Sequence, residues 1–330
     1  MPDFGIAMDG RAPITDIAAQ ARAAEQGGAS TLWIACHLFL RDPVTMAALA
    51  LGATERIKIA LMAMSPYSMH PVLIAMAAAA LDEMYPGRVI LCLGAGAPAD
   101  LLAAGIEAPR PLKTIGEAVA ICRSLLAGEM ADFHGEVFNV SGRRLANRPR
   151  PGPHPGSRQL PIVLAASRPN MLKLAGRASD GVLISAATSA PFVKACLAQA
   201  SEGAAGRPLR RLGIVYTRLG GSEKEAIDPI RRPIGFVLRG AHHAENIRLS
   251  GATLDQAALA AAYAAENFSE VERLVSDEVV RLHAACGTPA QVKARLDEYR
   301  AFGLDEVILG GLDDVPSIEK ALAAAHGKTA

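Results

Sequence analysis

Eight short apolar runs alternate with alanine-rich helical stretches along nearly all of the 330-residue chain, and few architectures accept that rhythm. The runs cover residues 4–8, 31–35, 57–64, 88–93, 162–166, 181–185, 212–217 and 307–309. Most are continuously apolar, the pattern of strands buried on both faces in a parallel sheet. Helix starts between them carry local signals. Asp42-Pro43 sets a capping carboxylate before a proline at the first helical position, and His70-Pro71 and Thr288-Pro289 repeat the proline. Thr15 is expected to cap a helix over 15–26 that stops at Gly27-Gly28. A doubly wound sheet would show the same alternation. Eight units, with no GxGxxG after the first strand, favour a (β/α)8 TIM barrel instead. The reading is one domain over 1–330, with a Pro-, Gly- and Arg-rich insertion at 128–160 and an irregular, helix-rich one at 222–285.

Composition then removes several function classes. Apolar residues make up 51% of the chain and aromatics 4%, so the core is expected to be Ala, Leu, Ile and Val. Lys plus Arg number 34 against 33 Asp plus Glu, a net charge of +1. That leaves no electrostatic footprint for nucleic acid and no basic face for a membrane. Cys36, Cys92, Cys122, Cys196 and Cys286 are dispersed without metal-ligand spacing, which predicts reduced thiols and no metal site. The N-terminus lacks the basic start and apolar run of a signal peptide, and the stretch 74–81 is too short to cross a bilayer. A cytoplasmic location is expected.

In a barrel of this kind ligands sit at the C-terminal strand ends. Those positions hold Asp9, Cys36-His37, Ser65-Pro66-Tyr67, Gly94-Ala95-Gly96, Ser167-Arg168-Pro169-Asn170, Ser185 with Thr188, and Gly310-Gly311. The set suits a phosphate and a flat ring, and offers few carboxylates for a metal. Gly94-Ala95-Gly96 lets a ligand approach the backbone, although such turns also end many strands that bind nothing. Ser167 with the amides of Asn170 and Met171 forms either a phosphate cradle or an ordinary helix start. His37 is placed to exchange a proton near neutral pH, or to serve structurally. His70 reads better as a helix cap or loop packing. Met62, Ala63 and Met64 read as barrel core or as a surface against a ring. Arg231, Arg232 and Arg239 read as solvated surface rather than an anion site. With no Gly-x-Ser-x-Gly, P-loop or His-Glu-x-x-His, hydrolase and triphosphatase readings have no anchor.

Ordered segments add a family resemblance. Thr54-Glu55-Arg56-Ile57-Lys58 leads into Ser65-Pro66-Tyr67-Ser68-Met69-His70-Pro71, and Leu81-Asp82-Glu83-Met84-Tyr85-Pro86-Gly87-Arg88 into Leu93-Gly94-Ala95-Gly96. Pro161-Ile162-Val163-Leu164-Ala165-Ala166 and Ser179-Asp180-Gly181-Val182 follow, then Gly287-Thr288-Pro289 and Phe302-Gly303-Leu304-Asp305-Glu306-Val307. In this order, over about 4–311, the chain resembles the luciferase-like monooxygenase superfamily, particularly the branch similar to coenzyme F420-dependent methylenetetrahydromethanopterin reductase. The resemblance implies a homodimeric oxidoreductase with F420 or FMN at the strand C-termini and a small organic substrate, handled by hydride transfer or monooxygenation. It implies a ring over a third-strand bulge at Met62, Ala63 and Met64, with a non-prolyl cis peptide at Met62–Ala63. It places the cofactor phosphate on Gly94, Ala95 and Gly96 and on Ser167, Asn170 and Met171, and makes His37 the catalytic proton carrier. The two insertions would shape the substrate mouth. Cys36 stands where the family commonly has an acidic residue, which keeps a non-catalytic flavin-binding relative as the alternative. Ala166 replaces a glutamate seen in FMN-using luciferases, which favours F420.

Overall fold

The strands expected from the apolar rhythm all form in the computed structural model, which describes residues 3–147 and 160–328. Eleven strands occur among these residues. They are β1 (Asp3–Met8), β2 (Thr31–Ala35), β3 (Lys58–Met64), β4 (Val89–Leu93), β5 (Ala131–His134), β6 (Asn139–Arg143), β7 (Ile162–Ala165), β8 (Gly181–Ile184), β9 (Arg210–Leu219), β10 (Ala284–Gly287) and β11 (Glu306–Gly310). Eight of them pair in parallel in the order β1-β2-β3-β4-β7-β8-β9-β11, and β11 closes back on β1. The chain is therefore a (β/α)8 TIM barrel.

Strand periodicity sorts the apolar residues into two layers. One set points into the barrel: Trp33, Ala60, Met62, Ile90, Cys92, Val163, Leu183, Leu212 and Ile308. Alternate residues such as Ile34, Leu61, Leu91, Leu164 and Leu309 pack outward against the helices. Each large side chain buried this way contributes roughly 1.5–3 kcal/mol. Polar groups close the N-terminal end. Glu306 accepts hydrogen bonds from Thr31 Oγ1 and from Trp33 Nε1 (3.0 Å), and its other oxygen lies 2.7 Å from Arg210.

Helix starts follow the sequence signals with one exception. Asp42 accepts a bond from the Thr45 amide at 2.7 Å and caps Pro43–Ala53. Thr288 and Gln291 form a reciprocal capping box before Pro289–Ala301. Thr15 is not a cap: Pro13 leads into a 3₁₀ turn over Ile14–Asp16, and the α-helix Ile17–Gln26 starts behind it.

The described part of the first insertion is an antiparallel hairpin, β5–β6. It lies along the outside of helix Pro111–Leu126, where buried Glu117 accepts the amides of Glu136, Val137 and Phe138 at 2.9–3.0 Å. This hairpin braces the outer layer; residues 148–159 lie outside the described part. The second insertion is five regular helices, Glu223–Leu238, Ala244–Ser250, Gln256–Ala264, Phe268–Leu274 and Asp277–His283, around their own apolar core. It looked irregular in sequence because Pro229 and Pro233 lie inside its first helix. It leaves the barrel on β9, which runs past the neighbouring strands, and returns on β10, which pairs with that extension. No helix among the described residues is long and apolar enough to cross a membrane.

Candidate functional site

At the C-terminal end of the barrel the inward layer is made of small residues. Ala7, Ala35 and Ala63, with Ala165, join the inner cluster, and Gly94 lies among them. A Cβ built on Gly94 would stand 2.9 Å from that of Ala63 and 3.3 Å from that of Ala165. Together these residues make a floor without large side chains. Beneath it β3 bulges: the Met62–Ala63 peptide is cis, and pairing with β4 shifts register between Leu61 and Met64. Both carbonyls of the bulge are satisfied, Met62 by the Cys36 amide at 2.5 Å and Met64 by the Gly94 amide at 3.1 Å.

The bulge separates the three residues expected at this point. Met62 points into the barrel and Ala63 forms part of the floor. Met64 is fully buried in the outer layer, so it meets the site only through its backbone. Gly94, Ala95 and Gly96 run from the floor to the rim, with Gly96 at φ +83° beside Ser65. Ser65 Oγ donates to the Ala95 carbonyl at 3.1 Å and fixes that turn. Across from it begins helix Pro169–Ala178, whose cap position is Arg168 and which has no side-chain cap. Ser167 stands half-buried just before it, with exposed Asn170 and half-buried Met171 in the first turn. The amides of Asn170 and Met171 thus have no acceptor within the helix. His70 takes the structural role: its Nδ1 accepts the Val72 amide at 3.2 Å and its ring meets Phe138 edge-on.

His37 projects at the mouth beyond β2, and its imidazole has no hydrogen bond to another described residue. Burial on its inner side lowers its pKa, while Asp100 and Asp9 pull the other way. The lowering favours its neutral form. The neighbouring Cys36 is held as a thiol by burial, with Asp42 adding to the effect. All five cysteines are free. No group of three or more His, Cys, Asp or Glu is arranged to hold a metal ion among the described residues.

Two mouth residues were not singled out in the sequence. Tyr216, on the β9 extension, follows Leu212 and Ile214 in the inward register, and that alternation was the available signal. Asn246 is fully buried and ties the helical insertion to the loop after β8. Its Nδ2 donates to Ala187 O and its Oδ1 accepts the Ser189 amide, both at 2.8 Å. Nothing in the sequence around Asn246 announced it. Arg231 is not the solvated group expected: its side chain is largely buried and pairs with Asp228 and Asp277 inside the insertion, whereas exposed Arg232 pairs with Glu272. Arg239 stacks 3.6 Å above the Phe236 ring.

Comparison with known proteins agrees with this geometry. The family model described as luciferase-like monooxygenase matches residues 2–306. A 5,10-methylenetetrahydromethanopterin reductase of Methanolobus tindarius is 31% identical over 329 residues, covering 97% of each chain. The coenzyme F420-dependent tetrahydromethanopterin reductase of Methanopyrus kandleri has the same fold, with a TM-score of 0.88 at 23% identity over 99% of this chain and 98% of that one. An FMN complex of the oxygenating constituent of 3,6-diketocamphane monooxygenase, from a Pseudomonas putida plasmid, superposes with a TM-score of 0.71 at 18% identity, over 98% and 97% of the two chains. A barrel closed in this order, floored by small residues over a bulged third strand and matched along nearly its whole length, belongs to the luciferase-like monooxygenase family.

Proposed function

We propose that this chain is an oxidoreductase that seats coenzyme F420, with FMN as the alternative, across the ends of β3, β4 and β7. It acts on a small organic substrate by hydride transfer or monooxygenation. The carrying observation is the floor at Gly94: a side chain there would collide with Ala63, so the position is kept free of one beside the small residues Ala63 and Ala165. The residues present fit such a group. Ala63 and Met62 would lie under the ring. Gly94, Ala95 and Gly96 would follow its stem, and Ser167 with the amides of Asn170 and Met171 would hold its phosphate. When bound, the cofactor supplies the two-electron chemistry, or with FMN the activation of oxygen.

The chain's own part is positioning and proton handling. His37, favoured in its neutral form and without a protein partner, is the residue proposed to take up or release the substrate proton. The helical insertion, latched by Asn246, closes one side of the mouth and limits water there. The F420 reading is supported by the named cofactor of the Methanopyrus reductase, and the FMN reading by the monooxygenase complex.

The protein is read as cytoplasmic, and its net charge of +1 supports no nucleic-acid partner. It is read as a homodimer because Leu49, Leu73 and Met76 leave an apolar face on helices Pro43–Ala53 and Pro71–Met84. Parallel fluorescence titrations with F420 and FMN test the cofactor assignment. Saturable binding of F420 alone directs the substrate screen to hydride transfer, and binding of FMN alone directs it to oxygen uptake. Binding of neither ends this reading. Sedimentation velocity tests the dimer.

A further inference from the structure

Three of the five tyrosine hydroxyls have a backbone acceptor; those of Tyr85 and Tyr216 have none among the described residues, and of these two only Tyr216 lies on a barrel strand. Tyr299 donates to the Thr188 carbonyl at 2.6 Å, Tyr67 to the Pro109 carbonyl at 2.6 Å, and Tyr263 to the Arg232 carbonyl. The Tyr216 ring is held just as firmly. It pairs in register with Gly310, where an added Cβ would come 3.5 Å from its Cδ1 and 3.8 Å from the Ala7 Cβ. At Gly311 an added Cβ would come 3.1 Å from the same Cδ1. On its other side the ring packs against the core of the helical insertion. Two consecutive glycines thus make room for a fixed aromatic ring inside the barrel wall, yet its hydroxyl has no hydrogen-bonding partner among the described residues.

The position of this hydroxyl gives it a use. The small-residue floor and its phosphate rim lie on β3, β4 and β7, whereas Tyr216 lies on β9 beside β11 and β1, across the barrel mouth. Tyr216 on β9 and His37 just beyond β2 flank the adjacent strands β11 and β1, so the two groups stand on one side of the same opening. Asp313 faces Tyr216 from the end of β11, and Asp100 faces His37 from helix Pro98–Ala103. Burial, with Asp9 second, raises the phenol's pKa, so it stays an O–H donor at all working pH values.

We propose that Tyr216 Oη is a substrate-binding donor, and that the substrate is held on this half of the mouth by a hydrogen-bond acceptor oxygen at its reacting carbon, shared with His37. The inference rests on the cofactor reading above. A merely structural tyrosine would be replaceable by phenylalanine without consequence, because every ring contact survives.

The test uses protein saturated with the cofactor it binds and cyclohexanone as the probe, a neutral ketone with one acceptor oxygen. Infrared difference spectra report the C=O stretch of the bound ketone. The expected result is a band shifted to lower frequency in the wild type that returns toward the free position in Tyr216→Phe, with ketone affinity about tenfold weaker, as loss of one hydrogen bond predicts. Cofactor affinity, read by fluorescence, stays within about twofold, since one such factor is under 0.5 kcal/mol. Equal shifts in both proteins, or no bound band in a cofactor-loaded wild type, overturn the proposal. Absence of cofactor binding overturns the earlier reading instead, and the two failures are told apart by the fluorescence titration alone.

Discussion

Gly94 and Ala63 face each other across β3 and β4 so closely that a Cβ on Gly94 would stand 2.9 Å from the methyl of Ala63. The contact defines the floor on which a planar cofactor would rest. Gly94→Val forces a branched side chain into that contact. The expected outcome is a loss of cofactor affinity on the order of a hundredfold, about 2.7 kcal/mol. Retention of wild-type affinity by a folded Gly94→Val protein would remove the floor from the cofactor site.

His37 carries the proton-handling role in the proposed reaction. His37→Ala is expected to reduce turnover by roughly 10²–10⁴-fold, the usual contribution of general acid–base catalysis, while cofactor titrations remain unchanged. Its pKa lies below the ordinary 6.5 because burial opposes the charged form. The acid limb of the rate profile, where His37 becomes protonated, is therefore expected below pH 6.5. A limb above that value would argue for another group.

Acid should open the helical insertion before the barrel. Burial pushes His243 down to about 3 and His283 to about 4, from 6.5. Both are neutral in the folded protein at pH 6, and the unfolded chain takes up their protons first as pH falls. Their neutral state contributes stability above pH 6.5 that drains away down to about 4 for His283 and about 3 for His243, at up to about 1.4 kcal/mol per pH unit for each group. Hydrogen exchange at pH 6.5 and 4.5 checks this: amides of residues 223–283 should lose protection ahead of those in β1–β4. Uniform loss across both regions would contradict it.

Glu306 makes the opposite prediction at the other end of the barrel. Burial raises its pKa, with Arg210, Thr31 and Trp33 only partly offsetting. Unfolded chain ionises at the ordinary 4.5 while the folded chain holds the proton longer, so stability attributable to this group falls as pH rises through that window. The melting temperature of Glu306→Gln should therefore gain on the wild type between pH 4.5 and 8. A constant difference across that range would mean the carboxylate is as well solvated inside as outside.

Asn246 joins insertion to barrel through two hydrogen bonds from a fully buried side chain. Asn246→Ala leaves the Ser189 amide and the Ala187 carbonyl without these partners, an expected cost of about 2–4 kcal/mol. Local exchange in helix Ala244–Ser250 should rise, and the Michaelis constant for substrate should rise with it. Unchanged exchange there would show that the apolar core of the insertion docks it unaided.

The barrel was legible because its rule is local and repeated: each short, mostly apolar run makes a strand of the closed sheet. The same rule failed at Met64. An unbroken alternation through β3 would bring Met62 and Met64 to one face, but the bulge shifts register and sends Met64 outward. The cis peptide was expected only from family resemblance, since no local propensity at Met62-Ala63 encodes it. The hairpin β5–β6 went unseen because polar Glu117, one helix away, supplies the acceptors that order its turn. Asn246 and Tyr216 depend on partners 57–59 and 94–95 residues distant (Ser189 with Ala187, and Gly310 with Gly311), which no window of sequence contains.

The helical insertion leaves the barrel at Leu219 and rejoins it at Gly287, and these two residues are partners in one parallel ladder, with the Gly220 amide bonded to the Gly287 carbonyl. Its two ends are therefore neighbours before any helix between them folds. A segment spliced in this way behaves as an interchangeable cassette. Its length and side chains could be altered without displacing the ladder that anchors it or the floor on β3 and β4.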